Sequence, residues 1–112
     1  MSRKSWQPYA LHIIDSIDKI YHIRARGDIT IDDVLYDATL RNLQTLSEAT
    51  QSLPDEFKTI HSEIPWKQIS GFRNILVHNY LGDIDPQTVV KVIEDYLQPL
   101  KGAVFSMLDD NA

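Results

Sequence analysis

The stretch Trp66 to Tyr80, WKQISGFRNILVHNY, holds the residues best suited to chemistry. Arg73 is a fixed cation whose planar donor fork suits phosphate. Histidine as a residue type titrates near neutrality, so His78 is suited to moving protons. Asn74 can orient an imidazole or donate to an oxyanion. Together these groups suit metal-independent RNA cleavage. One step deprotonates a 2′-hydroxyl, another stabilises charge on phosphorus, and a third protonates the leaving oxygen. On pattern alone an Arg and a His five residues apart are common. The plainer reading of the pair is a surface arginine and a helix-end histidine, with Tyr80 packed at the terminus.

On a helical wheel Lys67, Gly71, Asn74 and His78 fall at i, i+4, i+7 and i+11, a polar stripe among bulky apolar residues. Phe72, Ile75 and Leu76 lie elsewhere and read as core. Arg73 edges the stripe, and Tyr80 returns to nearly the same face as Arg73 if the helix continues. Arg73 and His78 themselves diverge by roughly 140° and rise about 7.5 Å in one ideal helix. A single helix therefore cannot aim both at one small ligand. Either the helix ends before His78, or a second copy of the motif completes the site, as a symmetric dimer would.

Other chemistries find less support. His12, His22 and His61 lie far apart in sequence, no pair has metal-ligand spacing, and there is no cysteine, so no metal site is expected. Asp32-Asp33 and Asp109-Asp110 read as a helix start and a frayed tail. Ser70 lacks a nucleophile elbow. No glycine loop for phosphates is present, so no cofactor is expected. Trp66, after Pro65, reads as a core anchor rather than a stacking platform.

The elements that must position the motif are helical. Leu11, Ile14, Ile17, Tyr21 and Arg24, with Ile20 beside them, are spaced by threes and fours over about 8–25, and Gly27 follows as a stop. Thr30 and Asp33 resemble a capping box, with Asp in place of Glu. Ile31, Val34, Leu35, Ala38, Leu43, Leu46 and Ala49 continue in helical phase to about Leu53. Pro54-Asp55-Glu56 starts a short helix ending near His61. Pro65 opens the motif segment, closed near Gly82. Asp85-Pro86 reads as N-cap and first-turn proline, followed by Val89, Val92, Ile93, Tyr96 and Leu97. Pro99 should kink or end that helix; Leu100, Val104, Phe105 and Leu108 carry a further helical piece. Nothing alternates with period two. The expectation is an all-α, up-and-down four-helix bundle with an extra short helix and a Pro-kinked C-terminal helix.

The 112 residues suit a single domain over 1–112. With 43% hydrophobic and 24% charged residues, wholesale disorder is not expected. No apolar run exceeds three residues, as in Ile75-Leu76-Val77, which is far too short to cross a membrane. Asp15 and Asp18 interrupt any apolar stretch after Arg3 and Lys4, which does not fit a signal peptide. The lack of cysteine rules out a disulfide framework and fits a reducing cytosol. The net charge of −5, from 11 Lys+Arg and 16 Asp+Glu, is a poor footprint for general nucleic-acid binding. Any RNA contact must use a small local patch or a basic partner.

Arg73-Asn74-Ile75-Leu76-Val77-His78-Asn79-Tyr80 resembles the R-x4-H-x-Y motif of the HepT-like family within the HEPN superfamily. Ile64-Pro65-Trp66-Lys67-Gln68-Ile69-Ser70-Gly71-Phe72-Arg73-Asn74 resembles the family's I-P-W-x-x-I-x-G-x-R-N lead-in. Asp37-Ala38, Arg41-Asn42-Leu43 and Glu48-Ala49 resemble its second-helix signature. The likeness covers about residues 8–108. Ser47 departs from it, standing where the family often has Gly before Glu-Ala.

The resemblance implies a cytoplasmic, homodimeric, metal-independent endoribonuclease, acting on RNA such as tRNA or mRNA. It also implies the toxin of a type VII-like toxin–antitoxin pair. The partner would be a minimal nucleotidyltransferase antitoxin that transfers AMP from ATP to the motif tyrosine. Carried over, Arg73 and His78 are catalytic, Asn74 assists, and Tyr80 is the modified residue. The alternative is a non-catalytic helical dimer that binds the nucleotidyltransferase.

Overall fold

The computed structural model describes residues 5–78 and 84–111, with side chains given for all of these except 73–78. It is all-helical over the described residues. The order is α1 (Gln7–Arg26), α2 (Asp33–Thr50), α3 (Asp55–Ile60), α4 (Trp66–His78) and α5 (Pro86–Asp110). α1 packs against α2 and α5, and α2 packs in turn against α4. This is the expected helical architecture with its short extra helix. No described helix is long and apolar enough to cross a membrane.

The core is aliphatic. α1 contributes Ala10, Ile13, Ile14, Ile17 and Ile20. α2 adds Leu43, Leu46 and Ala49, α4 adds Ile69, and α5 adds Val89, Ile93, Leu97, Leu100, Val104 and Met107. At about 25 cal/mol per Å² of apolar surface removed from water, this burial is the main force holding the helices together. The stripe on α1 is rotated from the one read in the sequence: Ile13 is fully buried, while Leu11 is 58% exposed. Leu11 lies three residues before Ile14 and Ile13 four before Ile17, so both keep helical spacing with the core, and packing against α2 and α5 selects Ile13.

Helix ends follow local chemistry, with one correction. Asp85 caps α5, its carboxylate accepting from the Gln87 N–H at 3.2 Å, and Pro86 takes the first turn, as expected. The α2 cap is Asp32, not Thr30. The Asp32 carboxylate accepts from the N–H groups of Val34 (2.9 Å) and Leu35 (3.2 Å). Thr30 is engaged elsewhere, donating both its N–H (2.8 Å) and its hydroxyl (2.6 Å) to Asp28. These bonds hold the Asp28 carboxyl below the usual carboxylate range, the hydroxyl more than the N–H. Ile31 therefore precedes α2, and it and Val34 are exposed rather than core.

Pro99 does not end α5, which runs through it to Asp110. The ring lies on the exposed face, as does Asp95, whose carbonyl loses its i+4 donor and is left to water. Leu97 and Leu100 are buried on either side and hold the two halves against the core.

Candidate active site on the fourth helix

α4 is placed at its start by Trp66 and along its length by α2. Proline at position 65 cannot continue a helix backward through a backbone donor, so the chain turns there. The half-buried Trp66 then reaches back to α3. Its indole N–H donates to the carbonyls of Lys58 (3.1 Å) and His61 (3.0 Å), which sit at the C-terminal end of that short helix. Carbonyls in the last turn of a helix have no intrahelical partner, and the indole serves that of Lys58; the His61 carbonyl also accepts from the Ile64 N–H at 3.1 Å, and the shared indole clamps α3 to the start of α4. The anchoring role read for Trp66 in the sequence takes this form.

Ile69 is 1% exposed and seats α4 in the core. One residue on, the Ser70 hydroxyl lies 2.9 Å from that of Thr50 on α2. Thr50 also donates to the Ser47 carbonyl at 2.6 Å, and Ser47 to the Leu43 carbonyl at 2.7 Å. Small hydroxyl residues thus line the contact between α2 and α4, and their polar atoms are satisfied there. Toward α5, the Phe72 and Tyr96 rings meet with centroids 6.1 Å apart at 58°. A further tie joins α2 to the entry of α5: the Tyr36 hydroxyl donates to the Ile84 carbonyl at 2.7 Å.

The backbone of α4 is helical without interruption to His78. Arg73, Asn74 and His78 therefore share one helix, and the helix does not end before His78. Positions 73 and 78 keep the ideal divergence of roughly 140° with a rise of about 7.5 Å. Their side chains, and those of Ile75 and Leu76, lie outside the described residues, as does Tyr80. Of the polar stripe, Lys67 is exposed. A Cβ added at Gly71 would meet nothing within 4 Å. Among the described residues no contact requires a glycine there, although glycine in a helix costs about 1 kcal/mol relative to alanine. At Lys67 and Gly71 this face is open.

His12 and His22 are exposed on α1, while His61 lies 3.6 Å from the Glu63 carboxylate beside the α3–α4 turn. Lys58 was not singled out by any spacing in the sequence, yet α3 brings it beside Trp66 and Lys67 in one groove. Burial pulls the Lys58 ammonium below the usual lysine range, and Asp55 partly opposes that shift.

Comparison with known proteins matches residues 10–107 to the family described as ribonuclease HepT-like. A protein of Caldanaerobacter subterraneus subsp. tengcongensis, provisionally named an RNase, is 35% identical over 105 residues, covering 88% of this chain and 93% of that protein. A protein of Thermococcus cleftensis named a probable ribonuclease HepT is 30% identical over 105 residues, covering 89% of this chain and 93% of the relative. No solved structure matches the chain. With a family match across nearly all of α1 to α5 and relatives aligned over almost their whole length, the chain belongs to the HepT-like ribonuclease family.

Proposed function

We propose that this protein is a metal-independent endoribonuclease and the toxin of a type VII-like toxin–antitoxin pair, acting in the cytoplasm as a homodimer. The observation that carries the reading is the family match over residues 10–107, which includes the Arg73-to-His78 segment on an unbroken α4.

The chemistry follows from the residue types. A base removes the proton of a 2′-hydroxyl, whose oxygen attacks the adjacent phosphorus. The bond to the 5′-oxygen breaks, and an acid protonates that oxygen. The products are a 2′,3′-cyclic phosphate and a 5′-hydroxyl, with no water consumed. His78 is the proton-transfer group: its imidazole takes the 2′-hydroxyl proton, and the imidazolium so formed returns it to the leaving 5′-oxygen. Arg73 stabilises the charge that builds on the phosphoryl oxygens. Asn74 orients the imidazole. This scheme asks no Lewis acid of the protein.

Tyr80 is the point of control. A minimal nucleotidyltransferase antitoxin transfers AMP from ATP to its hydroxyl, which places a phosphodiester beside Arg73 and an adenosine where RNA would lie.

The test is cleavage of single-stranded RNA by the purified protein in the presence of EDTA. The wild type should cut, and His78→Ala should lower the rate about 10²–10⁴-fold with unchanged helicity. Cleavage by His78→Ala at the wild-type rate, or loss of wild-type activity in EDTA, would overturn the assignment.

A further inference from the structure

Two adjoining surface grooves share Asp55, Lys58, Trp66 and Lys67; one of them continues to Ser70 and Gly71. They lie over the α3–α4 clamp, at the end of α4 away from His78. Their two lysines differ from the other described lysines. Lys19 pairs with Asp15 at 3.2 Å, Lys91 with Asp95 at 3.8 Å and Lys101 with Asp18 at 2.6 Å. Lys58 and Lys67 form no ion pair among the described residues. Asp55 also lines the grooves without closing on Lys58. In a protein of net charge −5, two uncommitted cations therefore converge on one groove.

The groove leads to the motif. Lys67 and Gly71 begin the stripe that positions 74 and 78 continue, and 11 residues of helix span about 16 Å. Gly71 leaves that path open, since even a Cβ there would touch nothing. Lys58 is half-buried and has shed part of its water, so a phosphate oxygen would meet a cation that is already partly desolvated.

We propose that the Lys58–Lys67 groove is a binding track for the phosphodiester backbone of single-stranded RNA, holding nucleotides that flank the bond cut farther along α4. This rests on the ribonuclease reading. A single strand is specified because attack by a 2′-oxygen needs a sugar free to leave duplex geometry. The track accounts for how a chain with excess acid grips RNA: the local patch faces the strand while the acidic surface faces away. Lysine contacts to phosphate position the strand without reading its sequence.

The test measures binding of a fluorescent single-stranded RNA oligonucleotide to the full-length chain carrying His78→Ala, which keeps the RNA intact, across a range of salt. Adding Lys58→Gln and Lys67→Gln should reduce the slope of log K against log salt by roughly 1.4, since each phosphate contact on a single strand contributes about 0.7. Lys19→Gln with Lys91→Gln removes the same charge elsewhere and should leave the slope unchanged. Lys58→Arg with Lys67→Arg should keep it. In the chain with His78 intact, the Lys58/Lys67 glutamine pair should raise KM and spare kcat, because contacts made equally in ground and transition states set binding alone. If the wild type cuts RNA and the glutamine pair keeps the wild-type slope and KM, or the control pair loses as much, the track is wrong and the ribonuclease reading stands. If the wild type neither binds nor cuts RNA, both fall.

Discussion

Two inactive proteins should make an active one when mixed. Because α4 is continuous from Trp66 to His78, positions 73 and 78 point about 140° apart and lie about 7.5 Å apart along the axis. A cleft that uses both must draw Arg73 from one copy and His78 from the other. A homodimer of Arg73→Ala lacks both copies of Arg73, and a homodimer of His78→Ala lacks both copies of His78, so both parents should be down about 10²–10⁴-fold. In the mixed dimer, one cleft receives neither group and the other receives an intact Arg73 and an intact His78. Random pairing at equal amounts makes about half the dimers mixed, so about one quarter of all clefts are restored. The assay is RNA cleavage after co-refolding the two variants across a series of ratios, with dimer mass checked by light scattering. Activity should peak near equal amounts at about a quarter of wild type. A mixed dimer isolated through two different tags should reach about half. Activity that never exceeds the sum of the parents at any ratio would refute the two-copy cleft, as would a monomer that cuts at the full rate.

Further outcomes follow from other sites. Co-expression with the cognate nucleotidyltransferase should add mass in steps of about 329 Da, the increment of a covalent AMP, to the peptide that holds Tyr80; Tyr80→Phe should gain none and should stay toxic beside the antitoxin. Trp66→Phe keeps a ring but removes the donor that serves the Lys58 and His61 carbonyls. It should cost about 1–2 kcal/mol and lower Tm by several degrees in a thermal melt followed by circular dichroism, and an unchanged Tm would dissolve the clamp. The Tyr36 hydroxyl is raised above its ordinary pKa of 10.0 by burial first, then by Asp37 and Asp85, and it donates to the Ile84 carbonyl only when protonated. A raised acid in the folded state gives stability that is complete below about pH 10 and is lost as pH rises further. Tyr36→Phe should therefore flatten the alkaline limb of a denaturation curve, and an identical limb in the variant would remove Tyr36 from that role.

The sequence displayed some features because their causes are local. Asp85-Pro86 and Pro54-Asp55 act through groups a few residues away, so the starts of α5 and α3 could be read directly. The second-helix cap could not, because Thr30 and Asp32 are equally suited to it and only the turn closed by Asp28 decides between them. Leu11 and Ile13 likewise obey the same period, and the neighbours that bury one and expose the other come from α2 and α5. The motif on α4 was legible as residue types at fixed spacing. The groove was not: Lys58 belongs to another helix, and no spacing rule links it to Lys67 across the turn. The clamp that joins them depends on an indole reaching two backbone carbonyls, which residue identities do not encode.

The proline within α5 bears on how the chain assembles. An internal proline costs about 3 kcal/mol of helix propensity, so the 25-residue α5 cannot nucleate as one unit in the unfolded chain. Its halves, one carrying Val89 and Ile93 and the other Val104 and Met107, are joined only once both lie on a surface that buries them. That surface is largely α1, which meets α2 across a short turn and can organise first through contacts close in sequence. Folding should therefore begin in the N-terminal hairpin, with core substitutions in α1 and α2 slowing the folding rate. Those in the second half of α5 should act mainly on the rate of unfolding. The C-terminal helix is in this sense the latch that closes last and opens first.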